Sequence, residues 1–244
     1  MEWEDSGIIL GSHNYSDSLI IVSCLTNKYG LRRGSVRNAK NKKQQIYVGN
    51  VVTLSWRGRL EEHLGKFEIK SCESVYPFLY NNQKKLLSLL SICELLKSCL
   101  TEKEPQKDLY LYLEDFIYLL KFSEKEWLKV VILLEIDILA KLGFGFDVKS
   151  CAVSGTTENL EYLSPKTGRV VSKTVGKEYK DKLFKLPKIF IDHEHDPTIE
   201  EIVEALKITK YFFEKNLLKL RGMKLPSIRN SLQQTLQNCV TALK

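Results

Sequence analysis

The chain has 244 residues, of which 43% are apolar and 27% charged, so it is long enough for one large or two to three small soluble domains. Its net charge of +7 suits a negatively charged partner, most commonly nucleic acid, although a merely soluble basic protein is the alternative. The longest apolar tract, residues 130–134, is followed by Glu135 and is far shorter than the roughly 20 residues that span a bilayer. Acidic residues at positions 2, 4 and 5 stand where an export signal needs basic ones, so we expect a cytoplasmic protein without membrane association.

The first third of the chain has the short, interrupted pattern of a β-rich domain. Apolar and β-branched runs occur at residues 7–10, 19–25, 46–56 and 67–75. Turn-forming residues separate these runs, and no long helical period appears among them. About five short strands in such a stretch favour a small closed β-barrel. The run at 51–56, Val-Val-Thr-Leu-Ser-Trp, is apolar and β-branched enough to be a central strand.

A helical period replaces this pattern after Pro77. The leucines from residue 83 to residue 100 fall on one broad stripe and predict a first helix, and a second is expected at 107–121. Ser123 and Glu126 have the spacing of a capping box, and Gly143 is suited to end the third helix. Two more helices are expected at 198–220 and from 227 onward, each after a proline. Residues of about 144–196 lack the period and predict a small insertion.

The strongest functional feature is a run of uncompensated positive charge. Residues 28–60 contain nine basic residues and no acidic one. A phosphate backbone needs a row of cations and unstacked bases need aromatic faces, so this segment is typical of a nucleic-acid surface on a β-barrel. A solvated basic hairpin that only aids solubility is the alternative. The predicted phosphate contacts are Arg32, Arg33, Arg37, Lys40, Lys42, Lys43, Arg57 and Arg59, with Trp56 or Tyr47 as a base-stacking or core aromatic.

A second basic tract lies at residues 166–188, where eight basic residues accompany only Glu178 and Asp181. Its few aromatic residues include Tyr179 and Phe184. A solvated loop and a second DNA contact both remain open for this tract.

Other chemistry is weakly represented in the sequence. His193 and His195 alternate with acids, but their spacing nominates no further metal ligand, so we expect no metal there. The six scattered cysteines form no C-x-x-C pair and are expected to be reduced and mostly buried. The phosphate-loop, dinucleotide-binding, nucleophile-elbow and zinc-protease motifs are all missing, so we expect neither an enzyme nor a cofactor.

The succession of motifs resembles the bacterial recombination mediator family RecO, also called DNA repair protein RecO. Gly7-Ile-Ile-Leu10 and the residues up to position 25 are similar to the first hairpin of the family, and Tyr29-Gly30-Leu31 to its next strand. The run from Trp56 to Gly65 looks like the alphaproteobacterial version. The middle segment of the family is similar to three runs of this chain: Leu142-Gly-Phe-Gly145, Cys151-Ala-Val-Ser-Gly155 and Leu163-Ser-Pro-Lys-Thr-Gly168. The resemblance extends in order over nearly the whole chain.

This resemblance implies an α+β multidomain protein. An N-terminal OB-fold β-barrel at 1–78 would be followed by an α-helical domain at 79–244, with a zinc-ribbon-like insertion at about 144–196. Family members bind single- and double-stranded DNA and anneal complementary strands. They act with RecR, and often RecF, to load RecA onto DNA coated by single-strand-binding protein, whose C-terminal tail they bind. The resemblance thus implies a cytoplasmic, nucleoid-associated mediator in DNA repair and recombination.

The chain departs from the family in its insertion. Members that hold zinc carry two C-x-x-C pairs there, whereas the corresponding positions in this sequence look like Cys151, Ser154, Ser172 and Val175. One thiolate cannot hold a tetrahedral zinc ion, so we expect an insertion of the same shape that lacks zinc ligands. A protein-interaction adaptor, whose helical domain binds the tail of a partner without direct DNA contact, is the alternative to the whole assignment.

Overall fold

The computed structural model describes residues 1–37, 46–218 and 222–242. These residues form two compact units. The first comprises Met1–Trp127 and Pro226–Leu232, and the second comprises Leu128–Leu225 and Gln233–Lys244. Three of the predicted phosphate contacts, Lys40, Lys42 and Lys43, lie outside the described residues.

Five strands of the first unit close into the predicted β-barrel. They are Glu2–Ser16 (β1), Leu19–Thr26 (β2), Gly30–Arg37 (β3), Val51–Arg57 (β4) and Lys66–Glu73 (β5). The strand order around the barrel is β1-β2-β3-β5-β4, with β4 pairing back onto β1. Only the β3–β5 pair is parallel among the described strands, and it is formed where Ser35 meets Lys66. This order and the helices that follow confirm the predicted barrel followed by a helical region.

Side-chain alternation explains how these sequences bury a barrel core. Val36 on β3, Leu54 on β4 and Phe67 on β5 point inward and belong to one hydrophobic cluster. The strand predicted at 46–56 begins only at Val51, because the preceding residues turn and the Asn50 amide donates to the carbonyl of Tyr47 at 3.1 Å. Strand β1 is longer than the predicted run because register shifts after Ile9 and Asn14 let it bend around the barrel.

Three of the next four helices lie close to the predicted ranges, whereas the first, a single turn, was not predicted. They are Tyr76–Leu79 (α1), Gln83–Cys99 (α2), Lys107–Phe122 (α3) and Glu126–Lys141 (α4). The Ser123 hydroxyl accepts a hydrogen bond from the Glu126 amide at 3.1 Å, as expected of a helix N-cap. Gly143 has φ +84°, and its amide donates to Ala140 while the Phe144 amide donates to Leu139. These two bonds form a Schellman motif, which explains why α4 ends there.

The insertion of the second unit is a small mixed structure. Strands Leu160–Leu163 (β6), Val170–Ser172 (β7) and Phe184–Lys185 (β8) form a sheet in the order β7-β6-β8. Between β7 and β8 the chain forms a short helix, Lys173–Gly176 (α5), and a 3₁₀ helix, Lys177–Lys182. The insertion predicted from the loss of helical period is therefore confirmed as folded.

Two helices complete the described chain. Helix Ile199–Phe213 (α6) continues into a π-helical turn at Glu214–Leu218, and Ser227–Ala242 forms α7. Thr198 and Glu201 form a capping box at the start of α6. No helix in the part of the chain that the structure describes is long and apolar enough to cross a membrane.

Candidate nucleic-acid interface

The outer face of strands β3, β5 and β4 gathers basic side chains from three parts of the sequence. On β3, Arg33 and Arg37 are exposed, whereas the intervening Gly34 and Val36 are buried. Arg57 of β4 is the register partner of Lys66 on β5, and Lys66 also pairs with Ser35 of β3. The closed strand order therefore places Lys66 of β5 between Ser35 of β3 and Arg57 of β4.

A groove runs over this face. One cavity of about 610 Å³ is lined by residues that include Arg37, Arg57 and Lys66. A second cavity of about 560 Å³ shares Ser35, Arg57 and Lys66 with the first and extends to Arg59 and His63 in the β4–β5 loop, residues 58–65. We call the combined depression the barrel groove. In OB-folds the β4–β5 loop is one of the elements that border the oligonucleotide site.

The cations of the barrel groove are accessible to an incoming anion. Arg57 is 80% exposed and its Nε lies 3.6 Å from a Glu2 carboxylate oxygen. Glu68 also lines the groove. An exposed pair of this kind contributes at most about 1 kcal/mol, so a phosphate can compete with Glu2 for Arg57. Arg37 and Arg59 are exposed as well.

Arg33 occupies an intermediate position. Its guanidinium is 52% exposed and is ion-paired with Glu102, which lies in a segment before α3. Phosphate binding there would have to displace a carboxylate. Among the predicted contacts, the structure therefore brings Arg37, Arg57 and Arg59 together on one groove and leaves Arg33 at a separate ion pair.

Arg32 is placed on the inside of the barrel mouth. Its side chain is 4% exposed, its Nη2 donates to a Glu61 carboxylate oxygen at 2.7 Å, and its Nε donates to the Tyr29 carbonyl at 3.1 Å. Its guanidinium carbon lies 5.8 Å from the ring centroids of Trp3 and of Tyr29. The hydrogen bond from Arg32, together with its charge, lowers the pKa of the Glu61 carboxyl. Arg32 therefore does not belong to the exposed set of cations.

Trp56 is a core aromatic in the structure. It is 1% exposed, it stacks on Trp3 at a centroid distance of 5.7 Å, and its indole N–H donates to the Leu64 carbonyl at 3.0 Å. The β4–β5 loop packs closely on the Trp56 ring. At Gly65, which has φ +64°, a Cβ would lie only 2.3 Å from Trp56 Nε1. Of the two roles that the sequence left open, core packing is the one its position supports. Tyr47 is 45% exposed and packs on Tyr76 at 5.3 Å.

The groove residue that sequence reasoning missed is Lys66. It follows the acidic pair Glu61 and Glu62, so a search for uninterrupted positive charge stops before it. The one available signal is its position as the first residue of a strand with alternating character. Its pairing with both Ser35 and Arg57 depends on barrel closure and cannot be read from local sequence.

Of the four positions compared with the family's zinc ligands, the structure brings Cys151, Ser154 and Ser172 together. Cys151 is 2% exposed, and its Sγ accepts hydrogen bonds from the backbone amides of Ser172 at 3.3 Å and Ser154 at 3.5 Å. Burial opposes ionisation of this thiol, but hydrogen bonds from Ser154, Ser172 and Val153 outweigh it and lower the Cys151 pKa to about 6. With one thiol, two serines and a valine, these residues do not fit a zinc ion. In the described part of the chain, no three His, Cys, Asp or Glu side chains converge to hold a metal.

A closed barrel with the order β1-β2-β3-β5-β4, followed by helices, defines an OB-fold protein with a helical C-terminal part. The profile described as Recombination protein O N terminal matches residues 1–78, and that described as Recombination protein O C terminal matches residues 81–225. The chain therefore belongs to the recombination protein O family, and the resemblance drawn from its motifs is confirmed.

Full-length relatives lead to the same family. The chain is 34% identical over 235 residues to the DNA repair protein RecO of Wolbachia pipientis wMel, covering 94% of this chain and 98% of the relative. It is 35% identical over 218 residues to the DNA repair protein RecO of Rickettsia canadensis, covering 89% and 90% of the two chains. The corresponding protein of Methylocella silvestris is 31% identical over 236 residues, covering 95% and 94%.

Proposed function

We propose that this chain is a non-catalytic mediator of DNA repair and recombination that holds single-stranded DNA in the barrel groove. Membership of the recombination protein O family supports the role in repair and recombination. The observation that carries the DNA-binding site is the convergence of Arg37, Arg57 and Lys66 on one groove beside the β4–β5 loop. Cations from three strands follow a groove in the manner that a phosphate backbone requires.

The remaining parts of the proposal concern the reaction in which the protein takes part. We propose that it also binds double-stranded DNA, anneals complementary strands, and helps to load RecA onto DNA coated with single-strand-binding protein. Its protein partners would be RecR, the C-terminal tail of single-strand-binding protein and, where present, RecF, at the nucleoid. Membership of the recombination protein O family supports these statements.

One observation favours the adaptor as a second candidate function. Tyr118 and Phe122 on α3 and Phe78 on α1 form an exposed aromatic cluster, with ring centroids 4.8 Å and 5.6 Å apart along the row. The three side chains are 62%, 64% and 47% exposed. Large exposed aromatics of this kind are common at protein-binding surfaces. A pure adaptor would bind its partner through such a cluster and would not need the barrel groove.

An oligonucleotide titration across a salt series separates the two functions. The test variant is R37E/R57E/K66E, and the control K84E/K107E/K125E changes the net charge equally at exposed or half-exposed lysines elsewhere in the first unit. The plot of log affinity against log salt for a fluorescent oligothymidylate should be shallower in the test variant by about 2, since each single-strand phosphate contact contributes roughly 0.7 to the slope. Affinity should then fall about 20-fold less between 50 and 200 mM salt than in the unmodified protein.

The control should retain the slope and affinity of the unmodified protein. Equal binding by the test variant and the control would remove the barrel groove from the proposal. Absence of oligonucleotide binding by the unmodified protein, at any salt concentration, would favour the adaptor instead.

A further inference from the structure

The second unit presents a patch of lysines on its insertion. Lys177, Lys180 and Lys182 lie on the 3₁₀ helix, and Lys185 lies on the edge strand β8. All four side chains are exposed, and within the described residues none of them has a carboxylate ion-pair partner. The preceding Lys173 differs, since its Nζ lies 3.2 Å from a Glu161 carboxylate oxygen. We call the four residues the insertion lysine patch.

The 3₁₀ geometry determines which side chains of this segment line up along the helix. Residues three apart eclipse one another along a 3₁₀ helix, because it has three residues per turn. Glu178 and Asp181 therefore share one row of the helix surface, and Lys177 and Lys180 share another. The third row holds Tyr179 and Lys182. Although each row borders the other two, neither acid forms an ion pair with these lysines among the residues that the structure describes.

The patch also contains an exposed ring. Tyr179 is 55% exposed and shares its row with Lys182, directly beside the row of Lys177 and Lys180. A ring among unpaired cations offers a stacking surface for a base next to contacts for its phosphates, which is how single strands are held without sequence preference. An acidic peptide would use the cations but would leave this ring without a role.

We propose that the insertion lysine patch is a second binding surface for single-stranded nucleic acid, separate from the barrel groove. The choice of ligand rests on the function proposed above, whereas the exposure of the four lysines and their lack of ion-pair partners among the described residues are independent of it. Because the two surfaces belong to different compact units, one chain would hold two strands at once.

Native mass spectrometry with short oligothymidylates, which cannot pair with each other, counts the strands held by one chain. The unmodified protein should hold two strands per chain. K177E/K180E/K182E should hold one, through the barrel groove, and R37E/R57E/K66E should hold one, through the patch. The control K149E/K207E/K224E reverses three other exposed lysines of the second unit and should hold two. A second measurement needs no variant: ultraviolet cross-linking of a thiothymidine oligonucleotide should yield a modified peptide that contains Tyr179.

The possible failures point to different proposals. A single strand on the unmodified protein, two strands on K177E/K180E/K182E, or cross-links confined to barrel peptides would each overturn the second surface and leave the barrel groove intact. Tighter binding of polyglutamate than of oligothymidylate at the patch would replace nucleic acid by an acidic protein. No strand bound by any form would overturn the proposed function itself.

Discussion

Arg32 and Arg33 are adjacent on β3, yet their guanidinium groups lie in opposite environments. Arg33 points outward and is half exposed, whereas Arg32 points into the barrel mouth and is 4% exposed. Arg32 links the carbonyl of Tyr29, the residue before β3, to Glu61 in the β4–β5 loop. It therefore holds the loop that borders the barrel groove without itself facing the groove.

This placement predicts a stability role for Arg32. R32M should lower the free energy of unfolding by about 1.5–3 kcal/mol, because it removes charge-assisted hydrogen bonds from a buried group. R33M, which breaks an exposed ion pair, should lower it by less than about 1 kcal/mol. Urea denaturation measures both values. Unchanged stability of R32M together with strongly weakened oligonucleotide binding would return Arg32 to the set of DNA contacts.

At the scale of elements, the start of α6 is held by a reciprocal pair of hydrogen bonds. The Glu201 amide donates to the Thr198 hydroxyl at 3.2 Å, and the Thr198 amide donates to the Glu201 carboxylate at 3.1 Å. His195 Nε2 lies 3.1 Å from the same carboxylate. Partial burial opposes ionisation, but the hydrogen bonds from His195 and from the Thr198 amide outweigh it and lower the pKa of Glu201.

The capping box should therefore make α6 sensitive to acid. Because the folded-state pKa of Glu201 is below its ordinary value of about 4.3, its stabilisation is fully present above that pH and is lost as the pH falls further. E201Q should lower the free energy of unfolding by about 1 kcal/mol at pH 7, and the difference should shrink below about pH 4. Urea unfolding at pH 7 and at a pH below about 4 measures this effect, with E200Q as the control. A difference that stayed constant with pH would contradict the assignment.

We predict that packing and hydrogen bonding around Cys151 hold the insertion together without a metal. Two amides point at the single thiol, and the positions of the other family ligands are filled by serine and valine. Protein purified without an affinity tag should contain less than one zinc per chain by elemental analysis, and a chelator should leave its melting temperature unchanged. A structural zinc site would instead contribute several kcal/mol, so stoichiometric zinc or a large chelator-induced fall in melting temperature would refute this prediction.

At the scale of the whole molecule, the basic residues behind the net charge of +7 include two separate exposed surfaces. The barrel groove lies on the first unit and the insertion lysine patch on the second, so each can be removed by substitution without changing the other. Some of the other basic residues are paired with carboxylates. Lys70 is paired with Glu4, Lys121 with Glu73, and Arg169 with Asp147. Net charge alone therefore indicates the sign of the partner and not where it binds.

Local sequence determined much of this architecture. The change from strand to helical period after Pro77 predicted a barrel followed by helices, because alternation and the 3.6-residue period are properties of the chain itself. Helix ends at Ser123 and Gly143 were equally predictable, since capping depends on hydrogen bonds and backbone conformations within a few residues. The ordered motifs also identified the family, and the lack of any C-x-x-C pair is a property of the amino-acid sequence itself.

Only the tertiary structure decided which basic residues face solvent together. Alternation assigns Arg32 and Arg33 to opposite faces of β3, but barrel closure decides which of these faces is inside. Trp56 became core for the same reason, and Lys66 joined Arg37 and Arg57 because the parallel β3–β5 pairing brings residues about 30 positions apart into register. Pairing between distant strands is not encoded in any local window, so the groove could be assembled only once the barrel had closed.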